Sequence, residues 1–256
     1  MAVPKGEQFQ INSTTMTVLL QRRLGLAITM ATTEDKTAQG SEATLGDEFL
    51  EDCEHSTRHH LIVHAWVRAV KAARGGAHTT ATTQAPMCSP ESTPDLMTMF
   101  AGQAGKHQLM DVKCYNTVVT DHARMVRGAT QAFGATRAML LAENLGDHAP
   151  TDVVRPRAAG EPPRHAKYED ALADGHDVLV LLAETWGGLS PESMKLLGEL
   201  AQLRNDGLSL EQGSATWTTG SFTAYYGQLL SIAVQRGVAN EIERAVYQAY
   251  EPGSSD

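Results

Sequence analysis

Cysteine is scarce in this chain. Its 256 residues include three, Cys53, Cys88 and Cys114, too few for a disulfide framework and in keeping with a reducing compartment. Long apolar runs are missing: no stretch of about 18 apolar residues occurs, so no transmembrane helix is expected. The first residues (MAVPKGEQFQINSTTM) lack the charged-then-apolar order of a signal peptide. Positive charge is in deficit, with 21 Lys and Arg against 30 Asp and Glu and a net charge of −9. That balance excludes broad, non-specific clinging to nucleic acid but leaves room for a local basic channel. What is present is 42% apolar and 20% charged, which argues against a wholly disordered chain. The length suffices for one large domain or two small ones with a sizeable core.

Residues 1–45 read as a flexible N-terminal segment, with one amphipathic helix expected over Val18–Ile28 (VLLQRRLGLAI) and a Thr/Ala/Gly-rich linker after it. From Ser56 to Ala73 the apolar residues Leu61, Ile62, Ala65, Trp66, Ala69, Val70 and Ala73 mark one face of a helix. Three strands are expected next, at His78–Ala85, Asp95–Phe100 and His107–Tyr115, the last two forming a hairpin. A helix over Asp121–Asn144, a Pro-rich loop over 147–163 and a short helix over Arg164–Ala173 follow. Asp177–Ala183 (DVLVLLA) is a continuous apolar run that suits a strand covered on both faces. Ser190-Pro191-Glu192 opens another helix, with serine as cap and proline at the first position. Two further helices fit Thr218–Gln235 and Ala239–Tyr250. The layout is α/β with a small mixed sheet flanked by helices. It divides into the N-terminal segment 1–45, a core over 46–185 and a helical C-terminal extension over 186–256.

The most specific constellation is Pro94-Asp95, fifteen intervening residues, then Asp111-Val112-Lys113. Strand alternation turns Asp111 and Lys113 the same way and Val112 into packing. Asp95 starts the partner strand of the hairpin and can reach the same face. Two carboxylates beside an ammonium can hold Mg²⁺ (or Mn²⁺) and leave positions for water and phosphate. Such an ion polarises a phosphodiester and acidifies an attacking water, and Lys113 can offset transition-state charge. Asp-x-Lys is also common on solvated strands, and Pro-Asp often only begins a turn. The order of elements is what strengthens the catalytic reading, because it matches the PD-(D/E)xK nuclease core. Between residues 122 and 167 seven cations, Arg124, Arg127 and Lys167 among them, face four acids. They either meet a phosphate backbone or make a solvated helix face. His59 falls at the edge of the apolar helix stripe and is expected to be half-buried and hydrogen-bonded. Cys114 shares the Val112 face and is expected in the core.

Taken in order, several pieces resemble the restriction-enzyme-like endonuclease region at the C-terminal end of non-LTR retrotransposon polyproteins, in the form found in algal and oomycete elements. They include RHHLIVHAWVRAVKAARGG (58–76), TPDLMTMF (93–100), HQLMDVKCYN (107–116), AKYEDAL (166–172) and DVLVLLAETWGGLSPESMKLL (177–197). The resemblance implies metal-dependent cleavage of DNA, with Asp95 and Asp111 as metal ligands and Lys113 as the catalytic lysine. It places Arg58, His59 and His60 in the family's Arg-His-Asn/Asp stretch, and Lys167 and Tyr168 at a later Lys-Tyr pair. Arg58, His60, Arg124, Arg127 and Lys167 are then the expected nucleic-acid contacts, with DNA (or RNA) as partner, no membrane, and an intracellular, nuclear setting. Relatives carry a zinc knuckle before the first helix. Here only Cys53 of its ligands remains and Glu48 stands at its histidine, so no zinc is expected. The alternative is a catalytically inactive, nucleic-acid-binding relic of such an element.

Overall fold

The computed structural model describes residues 6–24, 56–74, 93–99, 107–115, 122–215 and 220–250. Three strands, β1 (Leu96–Met99), β2 (His107–Tyr115) and β3 (Asp177–Glu184), form one sheet in the order β1-β2-β3. β1 and β2 pair antiparallel, with Leu96 opposite Met110. β2 and β3 run parallel, with Asp111 opposite Val180. A parallel pair needs a crossover, and the intervening chain supplies it as a long helix and a docked loop. The expected mixed sheet flanked by helices is what the chain forms. The strand expected at His78–Ala85 lies outside the described residues, as do Glu48, Cys53 and Cys88.

Seven helices occur among the described residues: α1 (Ser13–Leu24), α2 (Ser56–Arg74), α3 (His122–Leu145), α4 (Glu169–Ala173), α5 (Pro191–Leu203), α6 (Leu210–Ala215) and α7 (Phe222–Tyr250). None is long and apolar enough to cross a membrane. One sheet face carries Leu96, Met110, Val112, Leu181 and Ala183, which are buried in one cluster with residues of α1, α2, α5 and α7. The opposite face carries Met97, Leu109, Tyr115, Val178, Val180 and Leu182, buried with Leu141 and Leu145 of α3 and Ala171 of α4. β3 is covered on both sides, which is why its sequence is an unbroken apolar run rather than an alternating one. Ser190 caps α5 through its hydroxyl, which accepts the Ser193 N–H (3.2 Å), and Pro191 follows at the first position. Cys114 packs against the first cluster, and burial pushes its thiol up to about 11.

Five expectations are corrected. The N-terminal segment is not loose throughout: Phe9, Val18 and Leu19 are buried in the main cluster. Its helix spans Ser13–Leu24 rather than Val18–Ile28, because Asn12 accepts the Thr15 N–H (2.7 Å) and starts it earlier. The C-terminal region is no appendage, since Phe222, Leu230, Val234, Val238 and Ile242 of α7 are buried in the same cluster. The two expected tail helices are one of 29 residues. Gly237 does not break it but lets α2 approach, for a Cβ there would lie 2.6 Å from the Arg58 Cα. Finally, the helix expected over Arg164–Ala173 is confined to Glu169–Ala173.

The Gly237 contact makes a prediction whose sign is not trivial. Replacing a helical glycine by alanine ordinarily gains about 1 kcal/mol. Here Gly237→Ala should instead destabilise by about 1–3 kcal/mol, because backbone must shift to admit the methyl group. Urea unfolding checks this, and a stabilised variant would show that the two helices part freely.

Candidate functional site

The site begins at the edge of the sheet, where β1 stops pairing. Pro94 has no N–H with which to extend the ladder. Two register steps beyond the Leu96–Met110 pair, at Val112, the backbone N–H donates to Asp95 Oδ2 instead (2.7 Å). The other oxygen, Oδ1, lies 2.7 Å from His59 Nε2, delivered by α2. A carboxylate only accepts, so the proton of this bond sits on the imidazole nitrogen. Asp95 is thus held at both oxygens while its side chain remains 20% exposed.

Asp111 lies on β2 and is 2% exposed, but its surroundings are polar. Lys113, two residues on and therefore on the same face, sets its Nζ 3.0 Å from Oδ2. The contact is an ion pair at hydrogen-bond distance. Oδ1 accepts from the Tyr168 hydroxyl (2.9 Å) and has Lys167 Nζ at 3.6 Å. Lys167 also lies over the Tyr168 ring, 5.0 Å from its centre. Burial pulls the Lys113 ammonium down, but Asp111 and, farther off, Asp95 outweigh it and hold the group above its ordinary value. Lys113 therefore feels both carboxylates.

The way Lys167 and Tyr168 arrive explains why the expected helix before them is absent. Gly146 adopts φ +55°, and a Cβ there would sit 2.6 Å from the Arg164 carbonyl oxygen. The returning loop can therefore lie against the end of α3. There the Lys167 N–H donates to the Glu143 carbonyl (3.0 Å) and the Tyr168 N–H to the Asn144 carbonyl (3.4 Å). Tyr168 is buried in the second cluster and points its hydroxyl at Asp111.

The other expected contacts divide. Arg58 was expected at nucleic acid and is instead turned inward: it is 2% exposed, with Nη1 3.3 Å from Glu241 Oε2. Its place in the α2 sequence beside two histidines hid this, because a basic residue on a helix is usually solvated. His60 is exposed beside His59, their rings 6.2 Å apart. Arg124 and Arg127 belong to the first turns of α3, and their side chains lie outside the described residues. Lys167 is half-buried at Asp111. Residue patterns did not pair Tyr168 with Asp111 or His59 with Asp95. Both links join segments far apart in the chain, and only the expectation of a hydrogen-bonded His59 pointed towards one of them.

Asp95 and Asp111 offer hard oxygen donors, and because each carboxylate oxygen has two lone pairs, the buried Asp111 Oδ2, paired with Lys113 Nζ at 3.0 Å, keeps one to give. That donor set fits Mg²⁺, which is commonly held by one or two carboxylates and keeps its waters. Among the described residues no three His, Cys, Asp or Glu side chains gather into a metal cluster. No known protein family, curated protein or solved structure matches the chain.

Proposed function

We propose that this chain is a metal-dependent DNA endonuclease of the PD-(D/E)xK type, derived from a non-LTR retrotransposon and acting in the nucleus. The observation that carries the reading is Lys113 paired with Asp111 at 3.0 Å where β1 ends, with Lys167 brought to the same Asp111 carboxylate and Asp95 at the start of the adjoining strand. Asp95 and Asp111 would hold the Mg²⁺ or Mn²⁺. When bound, the ion supplies positive charge to the phosphodiester oxygens and acidity to a water. Lys113 stabilises the anionic charge that builds on the phosphorus oxygens during attack. Tyr168 and Lys167 keep Asp111 in place. The half-exposed Lys167 ammonium also lies at the site's rim, where it can meet the backbone phosphate.

The test is conversion of supercoiled plasmid to the nicked form by the purified chain. Nicking is expected with Mg²⁺ or Mn²⁺ and is expected to stop with excess EDTA. Nicking that EDTA leaves untouched would overturn the metal-dependent reading. A second reading is supported by the state of Asp95, both of whose oxygens already hold hydrogen bonds, and by the net charge of −9. On that reading the chain is an inactive relic that binds nucleic acid. Salt-sensitive DNA binding without nicking in either metal would favour it.

A further inference from the structure

We propose that His59 is the positioning residue for Asp95, fixing the carboxylate in the orientation in which it takes a divalent cation. The inference rests on the metal-dependent reading of the site. Its basis is the pair of bonds already described. Val112 N–H holds Oδ2 and His59 holds Oδ1, each at 2.7 Å. The two donors come from different elements, a strand and a helix, so together they remove the carboxylate's freedom to rotate about its last bond.

The ring is poorly explained as packing. His59 is 31% exposed, at the margin of a helix whose buried stripe is made by Ile62, Val63, Trp66 and Val70. Each carboxylate oxygen has two lone pairs, so the bond to His59 leaves one on Oδ1 for a cation. Partners of this kind, which hold a ligand rather than the metal, typically change metal affinity by 10–100-fold when removed. Asp111 has its own such partner in Tyr168 (2.9 Å). Each acid would then be steadied by one side chain from outside the hairpin.

The test is Mn²⁺ binding, read by the loss of the free-ion electron paramagnetic resonance signal, which requires no cleavage. His59→Ala and His59→Asn, the latter polar but too short to reach Oδ1, should bind Mn²⁺ about 10–100-fold more weakly than the unaltered chain. His59→Gln, whose amide can reach Oδ1, should stay within about 5-fold. Circular dichroism checks that each variant is folded. Equal or tighter binding by the Ala and Asn variants would overturn the role of His59 and leave the metal site standing. Failure of the unaltered chain to bind Mn²⁺ would remove the metal reading itself, and this inference with it.

Discussion

Asp111→Asn should lower the rate of plasmid nicking by about 10³-fold or more, while the chain remains folded. The substitution keeps the volume of the side chain and removes only its charge. That charge faces Lys113 at 3.0 Å and Lys167 at 3.6 Å. Its loss takes the nearest counter-charge from Lys113 and Lys167 and replaces one carboxylate ligand of the proposed cation with a neutral amide. Losing a single electrostatic contact at a reacting centre already costs about 10²–10³ in rate, and here the cation's ligand and the partner of Lys113 go together. Stability should change little by comparison, because Lys113 and Lys167 are both partly exposed and can turn to water. The same variant should remove a pH effect. In the unaltered chain Lys113 is held above its ordinary value. The stability this ion pair contributes is therefore complete below the unfolded lysine value, and is lost only as pH rises through the higher folded one. In Asp111→Asn that alkaline contribution should shrink. Initial nicking rates and thermal unfolding on the same samples check both parts. A variant nicking at the unaltered rate would place the chemistry elsewhere.

Much of the fold was legible because its signals were local. The His107–Tyr115 strand, the buried run at Asp177–Glu184 and the Ser190-Pro191 helix start each rest on residues within one element. The failures share a different cause. The chain from Thr218 to Tyr250 reads as two helices in the sequence because the reason for Gly237 inside one helix, close approach to Arg58, belongs to another segment. The burial of Phe9, Val18 and Leu19 was not legible because the helix they pack against, α7, lies about 200 residues later. The site divides in the same way. Asp95, Asp111 and Lys113 could be chosen from spacing on a hairpin, since alternation fixes relative direction. Tyr168 and His59 could not be given their tasks, because a hydrogen bond across 57 or 36 positions leaves no period in the sequence.

Arg58 is the residue for which the sequence reading and the structure differ most in consequence. If it met DNA at the surface, Arg58→Ala would weaken binding and spare the fold. Its guanidinium is instead buried against Glu241 between α2 and α7, and Glu241 also accepts the Arg58 backbone N–H (3.3 Å). Removing one member of such a pair leaves a buried charge uncompensated, at a cost of about 3–5 kcal/mol. For a domain of this size that corresponds to a fall in Tm of about 10 °C. Burial already raises the Glu241 carboxyl, and Arg58 opposes the rise without cancelling it. Between the ordinary and the raised value the native state therefore binds more protons than the unfolded chain, so stability falls as pH rises across that window. Without Arg58 the carboxyl is raised further, and the fall becomes larger and extends to higher pH. Arg58→Ala should accordingly be less destabilising at about pH 5 than at about pH 7, because the acid protonates Glu241. The double variant Arg58→Met/Glu241→Leu should recover most of the loss, since apolar residues of similar size can replace a buried ion pair. Thermal melts of the single and double variants at the two pH values, with DNA affinity measured on the folded samples, separate the possibilities. A single variant with unchanged Tm and weakened DNA binding would return Arg58 to the surface role that its sequence context suggests.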